Sequence, residues 1–244
     1  MFKRLLAATA TLVCLSTLAA CGNERDGKAV DPGASDTTSD TGSDTESEPT
    51  DEFPSEASPA ATCEYFEDGS PAKEVNLPPN EATVAGQVEV TFETSLGDIA
   101  ATLDADATPC TVNSFISLAE QGYFEDTPCH RLTTSGIYVL QCGDPTGTGM
   151  GGPGYRIEDE VDGDEKYVAG TLAMAKTPDP DSGGSQFFLV YDDSLTLPPD
   201  YTVFGTISAA GVEILRGLAA QGTDSGAPDG PPSDPVDITA VTIG

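Results

Sequence analysis

Short apolar segments separated by glycine- and proline-rich turns limit what most of this chain can fold into. Alternation of apolar and polar residues with a period of two is typical of strands in an antiparallel sheet. Eight such segments are found, at residues 87–93, 98–104, 129–133, 138–141, 167–174, 186–191, 202–208 and 236–243. With two helical patterns, they predict a mainly β fold: an eight-stranded closed antiparallel barrel capped by two α-helices.

Two segments carry the period of an amphipathic helix. The first opens with Thr108 and Pro109, a capping hydroxyl followed by a proline in the first turn, where its missing N–H costs nothing. Gly122 can close this helix. The second, residues 211–220, is shorter and places Val212 and Leu215 on one face. Each helix therefore has an apolar face with which to cover an end of the barrel.

The N-terminus has the form of an export signal. Lys3 and Arg4 precede an apolar run, and residues 18–21 read Leu-Ala-Ala-Cys. These four residues resemble the lipobox of bacterial lipoproteins, in which the cysteine is lipidated and becomes the mature N-terminus. The resemblance predicts a signal peptide at residues 1–20, a lipid on Cys21, and a protein anchored to the cell membrane by that lipid alone and facing outside the cytoplasm. An ordinary secreted protein with a chance cysteine is the alternative.

Composition changes abruptly after Cys21. Residues 22–60 contain 11 acidic and two basic residues and almost nothing apolar, so no core can offset the entropy lost on ordering them. We expect residues 21–62 to be a disordered acidic tether and residues 63–85, rich in proline, to be an irregular arm. Residues 86–244 then form the folded domain.

The formal net charge of −31 argues against nucleic acid and anionic lipid surfaces as partners. We interpret the charge as a means of solubility outside the cell and expect a monomer; a surface adapted to high salt or to basic partners is the alternative.

Four cysteines follow the tether, Cys63, Cys110, Cys129 and Cys142, and an even number in an exported protein predicts two disulfides. If Arg131 and Gln141 share a face, alternation puts Cys129 and Cys142 on opposite faces. We therefore predict that these two do not bond to each other and that one of them pairs with Cys63.

Several motifs are weak indicators of chemistry. Residues 147–152 match the dinucleotide pattern G-x-G-x-x-G, but Pro153 and Gly154 follow where a helix is required. The acidic residues from 158 to 165 are interpreted as a solvated turn, and we predict no metal and no cofactor. His130 is the single histidine of the chain and no G-x-S-x-G elbow occurs, which disfavours a serine hydrolase. We expect His130 to be structural, with its ring nitrogens hydrogen-bonded.

Arg131 is the most informative charged residue. Residues 61–244 contain 30 acidic and six basic residues, so a cation inside an apolar strand pattern is unusual there. We interpret it as a poorly solvated hydrogen-bond donor in a groove, with Gln141 on the partner strand. The alternative is an edge arginine paired with a carboxylate. Phe187 and Phe188 are consecutive, so one faces away from the other and can form the floor of a pocket.

Six blocks along the chain resemble cyclophilin-type peptidyl-prolyl isomerases. They are His130-Arg131-Leu132, Gln141-Cys-Gly-Asp144, residues 149–154, Leu172-Ala-Met174-Ala175, Gly184-Ser-Gln186-Phe187-Phe188 and Val203-Phe204-Gly205. The resemblance covers residues 86–244 and implies the same eight-stranded barrel with two helices. It implies an enzyme that rotates X-Pro bonds, here those of proline-containing exported polypeptides that fold outside the cytoplasmic membrane.

The resemblance also assigns site residues. The family's catalytic arginine and groove glutamine fall on Arg131 and Gln141. Its substrate-binding positions fall on Tyr138, Val139, Ala175, Gln186, Phe188, Leu197 and Tyr201. Two departures stand out: two extra residues between Arg131 and Gln141, and Thr196 where many members have tryptophan. A non-catalytic lipoprotein that binds proline peptides in the same groove is the alternative, and a lipoprotein with an acidic surface as its function is a weaker one.

Overall fold

The computed structural model describes residues 60–244, which form two α-helices and twelve strands. The predictions for the signal peptide, Cys21 and the tether up to residue 59 lie outside the described residues. In chain order the elements are β1 (Tyr65–Glu67), β2 (Gln87–Thr94), β3 (Ile99–Asp104), α1 (Pro109–Glu120), β4 (Thr127–Pro128), β5 (Arg131–Thr133), β6 (Val139–Cys142), β7 (Tyr155–Ile157), β8 (Thr171–Met174), β9 (Phe187–Val190), β10 (Val203–Ile207), α2 (Ala209–Ala219), β11 (Asp229–Gly230) and β12 (Asp237–Ile243).

Ten of the strands form one curled antiparallel sheet in the order β11-β5-β6-β9-β8-β10-β3-β2-β12-β4. The mainly β class with two helices is confirmed, but the closed eight-stranded barrel is wrong. β4 pairs with β12 and β5 pairs with β6 and β11, while the intervening Cys129 and His130 belong to neither strand. Within residues 60–244 no ladder joins β4 to β11, so the sheet is an open half-barrel. The two-residue strands at its ends are too short to show alternation in the sequence.

The main core lies between the sheet and α1. The rings of Phe92, Phe115, Phe124, Phe187 and Phe204 are almost fully buried, and Phe115 lies 5.0–5.8 Å from the other four. Aromatic pairs at such distances add to the area that they bury. α1 begins where Thr108 and Pro109 predict, but the carboxylate of Glu160 caps it, accepting bonds from the N–H groups of Cys110 (3.0 Å) and Thr111 (2.8 Å).

A second apolar cluster covers the other side of the sheet. Its buried members are Val139, Tyr167, Ala173, Phe188 and Val190. The four members that lie in strands alternate with residues of the main core, for example Ala173 with Leu172 and Met174, whereas Tyr167 precedes β8. Both faces of β6, β8 and β9 are therefore apolar, and the second face forms the base of the site described below.

The arm before the sheet is fixed to α1. β1 pairs with β7, and the Asn113 side-chain amide donates to the hydroxyl of Tyr65 (2.7 Å) and the carbonyl of Pro79 (2.8 Å). The predicted irregular arm thus includes one short strand. Within residues 60–244 neither helix combines the length and apolar character needed to cross a membrane.

The disulfides join Cys63 to Cys110 and Cys129 to Cys142, with Cα–Cα distances of 5.3 Å and 4.0 Å. Two disulfides were expected, but the predicted connectivity is wrong: Cys129 and Cys142 bond to each other, and Cys63 pairs with neither of them. It assumed that alternation continues from Arg131 back to Cys129. β5 begins only at Arg131. The N–H of Cys129 donates instead to the carbonyl of Val236, which lies just before β12, the strand that pairs with β4. Cys129 therefore turns toward the core, where Cys142 also lies.

Candidate active site

The hairpin of β5 and β6 places Arg131 directly opposite Gln141. The guanidinium Nη1 donates to Gln141 Oε1 at 3.2 Å. In the turn between the two strands Ser135 pairs with Ile137, and Gly136 has a φ of 81°, a conformation that favours glycine. The turn therefore brings the two polar residues side by side.

A cavity of about 170 Å³ lies beside this pair. Its floor and walls are mostly apolar, and one edge carries Arg131, Gln141 and Lys176. The residues that line it are Arg131, Ile137, Val139, Gln141, Ala175, Lys176, Phe188, Leu197 and Tyr201. Seven of these nine are site residues predicted from the sequence, and they come from five separate segments. Phe188 faces this cavity, while Phe187 is in the main core.

Two predicted groove residues lie elsewhere. Tyr138 packs against Tyr191 on the main core, with ring centroids 6.0 Å apart, and its N–H donates to Ser194. Ile137 lines the cavity instead, because Ile137, Val139 and Gln141 alternate onto the same face. Gln186 lines a neighbouring cavity and contacts Gln141.

Arg131 is ion-paired as well as facing the groove. Its Nε and Nη2 donate to the two carboxylate oxygens of Asp229 at 2.8 Å and 2.7 Å. These hydrogen bonds raise the pKa of Arg131 and lower that of Asp229. The Arg131 side chain is 39% exposed, so the expectation of a poorly solvated arginine is wrong. Arg131 is therefore the carboxylate-paired arginine that the sequence left as an alternative, and it also lines the cavity.

A chain of side-chain hydrogen bonds continues from Gln141. Its Nε2 donates to Gln186 Oε1 at 2.9 Å, and Gln186 Nε2 donates to the carbonyls of Gly149 (3.0 Å) and Gly151 (2.9 Å). Each amide is thereby held in one orientation. The glycine-rich loop at residues 147–154, which is followed by strand β7, thus supports the polar edge of the cavity from behind.

Asp144 organises that loop. Its fully buried carboxylate accepts bonds from the N–H groups of Thr146, Gly149 and Gly151 at 2.7–3.0 Å. Burial opposes ionisation of Asp144, but the hydrogen bonds from the loop outweigh it and lower the pKa. A Cβ at Gly151 would lie 2.0 Å from Asp144 Oδ1, so the close approach requires glycine.

His130 packs against the same loop, and Gly149 leaves room for its ring. Contrary to expectation, its Nδ1 is buried without a hydrogen-bond partner among the described residues. Burial is the largest cause of a lowered His130 pKa. The imidazole is therefore a neutral packing residue rather than a base aimed at the cavity.

A larger cavity of about 370 Å³ adjoins the first and shares Gln141, Ala175 and Lys176 with it. One wall comes from the arm, where Asp68 and Ala72 donate backbone hydrogen bonds to the glycine-rich loop. Lys176 is nearly buried and pairs with Asp159 at 2.7 Å. Burial lowers its pKa, but the bond to Asp159 outweighs this and the pKa is raised. The sequence did not indicate that Lys176 or the arm would border a cavity.

The acidic turn from 158 to 165 is occupied by structural contacts. Glu160 caps α1, Asp159 pairs with Lys176, and Glu165 accepts from the N–H groups of Asp162 and Gly163. Within residues 60–244 no three His, Cys, Asp or Glu side chains are grouped to hold a metal ion.

Comparison with known proteins agrees with this geometry. Residues 89–243 match the family described as Cyclophilin type peptidyl-prolyl cis-trans isomerase/CLD. The chain is 45% identical over 211 residues to a probable peptidyl-prolyl cis-trans isomerase B of Mycobacterium tuberculosis, covering 80% of this chain and 68% of the relative. The Mycobacterium leprae relative of the same name is 44% identical over 197 residues, covering 74% and 66%.

A crystal structure of a cyclophilin type isomerase from Cryptosporidium parvum superposes with a TM-score of 0.56 and 30% identity, covering 65% of this chain and 98% of the other. The polar pair, the apolar cavity and the sequence matches lead to one conclusion. The chain belongs to the cyclophilin-type peptidyl-prolyl cis-trans isomerase family and is a peptidyl-prolyl cis-trans isomerase.

Proposed function

We propose that this isomerase acts on X-Pro bonds of exported polypeptides outside the cytoplasmic membrane, with Arg131 and Gln141 as its catalytic residues. The observation that supports these roles is a guanidinium at the edge of a small apolar cavity. The cavity of about 170 Å³ suits a proline ring, and Phe188, Val139 and Leu197 supply its apolar contacts.

The chemistry needs no acid, base or nucleophile. Rotation about the X-Pro bond is slow because amide resonance imposes a barrier of about 18–20 kcal/mol. An enzyme lowers this barrier by favouring the twisted amide over both planar forms. In the twisted amide the proline nitrogen regains its lone pair and becomes pyramidal. Arg131 would donate to the proline carbonyl and approach that nitrogen, which localises the lone pair. Gln141, fixed by Gln186, would hold the peptide backbone.

The roles are tested by exchange NMR on a short Ala-Pro peptide. Arg131→Ala should lower the on-enzyme isomerisation rate by roughly a hundredfold, the usual effect of removing one preorganised donor. Arg131→Lys should recover only part of it, since an ammonium lacks the planar fork. Lys166→Ala, at an exposed lysine that lines neither of the two cavities described above, is the charge-matched control. Wild-type rates in Arg131→Ala would contradict the assignment.

The proposed location rests on the N-terminal sequence and on the cysteines. Cys21 ends a lipobox-like motif, and both disulfides lie in the folded region. Disulfides form and persist in oxidising compartments outside the cytoplasm. An enzyme tethered there, acting as a monomer, would meet exported chains while they fold.

Lipidation is tested by mass spectrometry of the mature N-terminus and by membrane fractionation. Cys21→Ser should release the protein from the membrane fraction, whereas Cys14→Ser should not, because Cys14 is removed with the signal peptide. Membrane retention of Cys21→Ser would contradict the anchor without affecting the enzymatic assignment.

The folding role is tested in cells that lack this isomerase. There, an exported protein whose folding is limited by isomerisation of an X-Pro bond should fold more slowly than in wild-type cells.

A further inference from the structure

Asp229 lies 98 residues beyond Arg131 in the sequence and contacts the guanidinium with both carboxylate oxygens. β11 brings it there by pairing with β5 in the register Asp229 to Thr133. The N–H of Thr134 also donates to the carbonyl of Pro228 at 2.8 Å, which fixes the chain just before Asp229. The carboxylate is therefore held by the same strand that carries the arginine.

The hydrogen-bond count of the guanidinium shows what this contact does. An arginine has five N–H donors in a rigid plane. Asp229 takes one on Nε and one on Nη2, and Gln141 takes one on Nη1. Two N–H groups remain, one on each terminal nitrogen. A bidentate pair fixes the plane of the guanidinium as well as its position, so these two donors keep one direction beside the cavity.

Stability does not account for the pair. The side chains of Arg131 and Asp229 are 39% and 53% exposed. Ion pairs this exposed contribute little to folding because water and salt screen them. Removing the carboxylate should therefore leave the fold intact while freeing the guanidinium to rotate.

We propose that Asp229 is a positioning residue for catalysis: it locks the Arg131 guanidinium so that its two unpaired N–H groups face the bound prolyl amide. This inference rests on the role proposed above for Arg131. Asp229 acts through the arginine and does not itself contact the substrate.

The experiment compares Asp229→Ala, Asp229→Asn and Asp234→Ala by exchange NMR at saturating and limiting Ala-Pro peptide. Asp229→Ala should lower the on-enzyme rate roughly tenfold, since small misplacements of a reacting group cost one to two powers of ten, with little change in KM. The on-enzyme rate of Asp229→Asn should lie between those of Asp229→Ala and wild type, because an amide oxygen can still accept one of the two hydrogen bonds from Arg131. Asp234→Ala removes an exposed aspartate after β11 and should match wild type.

A second measurement separates positioning from folding. The Nε–H signal of Arg131, identified by its loss in Arg131→Lys, should exchange slowly with water in the wild type and rapidly in Asp229→Ala. Urea denaturation should give similar midpoints for both.

An unchanged or increased rate in Asp229→Ala, with Arg131→Ala still impaired, overturns the positioning role and leaves the proposed function standing. Wild-type activity in Arg131→Ala instead overturns the proposed catalytic role. A rate loss that tracks a lowered urea midpoint, with an unchanged Nε–H signal, also overturns positioning.

Discussion

Phe187 and Phe188 are adjacent in sequence and lie on opposite faces of β9, Phe187 in the main core and Phe188 at the base of the cavity. Phe187→Ala should lower the free energy of unfolding by about 3–5 kcal/mol because it opens a hole in the core. Phe188→Ala should destabilise less, since its ring borders a cavity, but weaken binding of an Ala-Pro peptide roughly tenfold. Urea denaturation and NMR titration measure the two effects. If Phe187→Ala and Phe188→Ala lost equal stability and both left peptide binding unchanged, the assignment of Phe187 to the core and Phe188 to the cavity would be contradicted.

Gly151 and Gly152 form a matched pair. A Cβ at Gly151 would meet the Asp144 carboxylate at 2.0 Å, whereas one at Gly152 meets nothing within 4 Å. Gly151→Ala should therefore cost roughly 1–3 kcal/mol of stability through overpacking. It should also slow isomerisation, because Gln186 donates to the Gly151 carbonyl. Gly152→Ala should stay within about 0.5 kcal/mol of wild type. Similar losses in both variants would show that the contact with Asp144 is not the cause.

His130 makes stability depend on pH in a predictable direction. Burial lowers its pKa below the ordinary 6.5, so the unfolded chain binds a proton at higher pH than the folded one does. Its contribution to stability is present above pH 6.5 and is lost as the pH falls through the lowered folded value. Between pH 7 and 5, wild type should lose more stability than His130→Gln. The ring signal of this single histidine reports the pKa directly, and a midpoint at or above 6.5 would contradict the prediction.

The two disulfides should contribute unequally to the free energy of unfolding. Cys63 and Cys110 are 47 residues apart, and Cys129 and Cys142 are 13 apart. Closing the longer loop restricts the unfolded chain more, so loss of the pair as Cys63→Ser with Cys110→Ser should cost about 4 kcal/mol and loss of the other about 3 kcal/mol. Urea denaturation gives the ranking. Peptide mapping without reductant should find Cys129 linked to Cys142, and any other connectivity would refute the pairing.

Thr196 stands where many family members have tryptophan, and its hydroxyl donates to the Gly136 carbonyl at 2.9 Å. The family resemblance implies that a tryptophan here donates its indole N–H to bound cyclosporin-type cyclic peptides. Threonine lacks that hydrogen bond, worth about 0.5–1.5 kcal/mol, and roughly 100 Å² of apolar contact, about 2–3 kcal/mol. Cyclosporin should therefore bind two to three powers of ten more weakly than with a tryptophan there. Thr196→Trp should strengthen inhibition of Ala-Pro turnover, and Thr196→Ala controls for the lost bond to Gly136. Nanomolar inhibition of wild type would contradict this expectation.

The periodic spacing of apolar residues along the chain predicts most of the strands and both helices. All eight predicted segments contain a strand, and both helices lie where their apolar faces indicate. The opposite directions of Phe187 and Phe188, and the shared face of Val139 and Gln141, follow from the same period of two. Backbone geometry sets these relationships within a few residues, so the sequence alone determines them. The lipid anchor at Cys21 and the tether remain predictions.

Tertiary structure alone decided which distant segments meet. Asp229 reaches Arg131 through a strand of two residues, too short for any periodic signal. The partner of Cys129 depended on where β5 begins, and the choice of Ile137 over Tyr138 depended on how the hairpin turn is built. Sequence encodes such contacts only through the packing of the whole core. Asp229, the carboxylate partner of Arg131, therefore became visible only in the tertiary structure, where β11 pairs with β5.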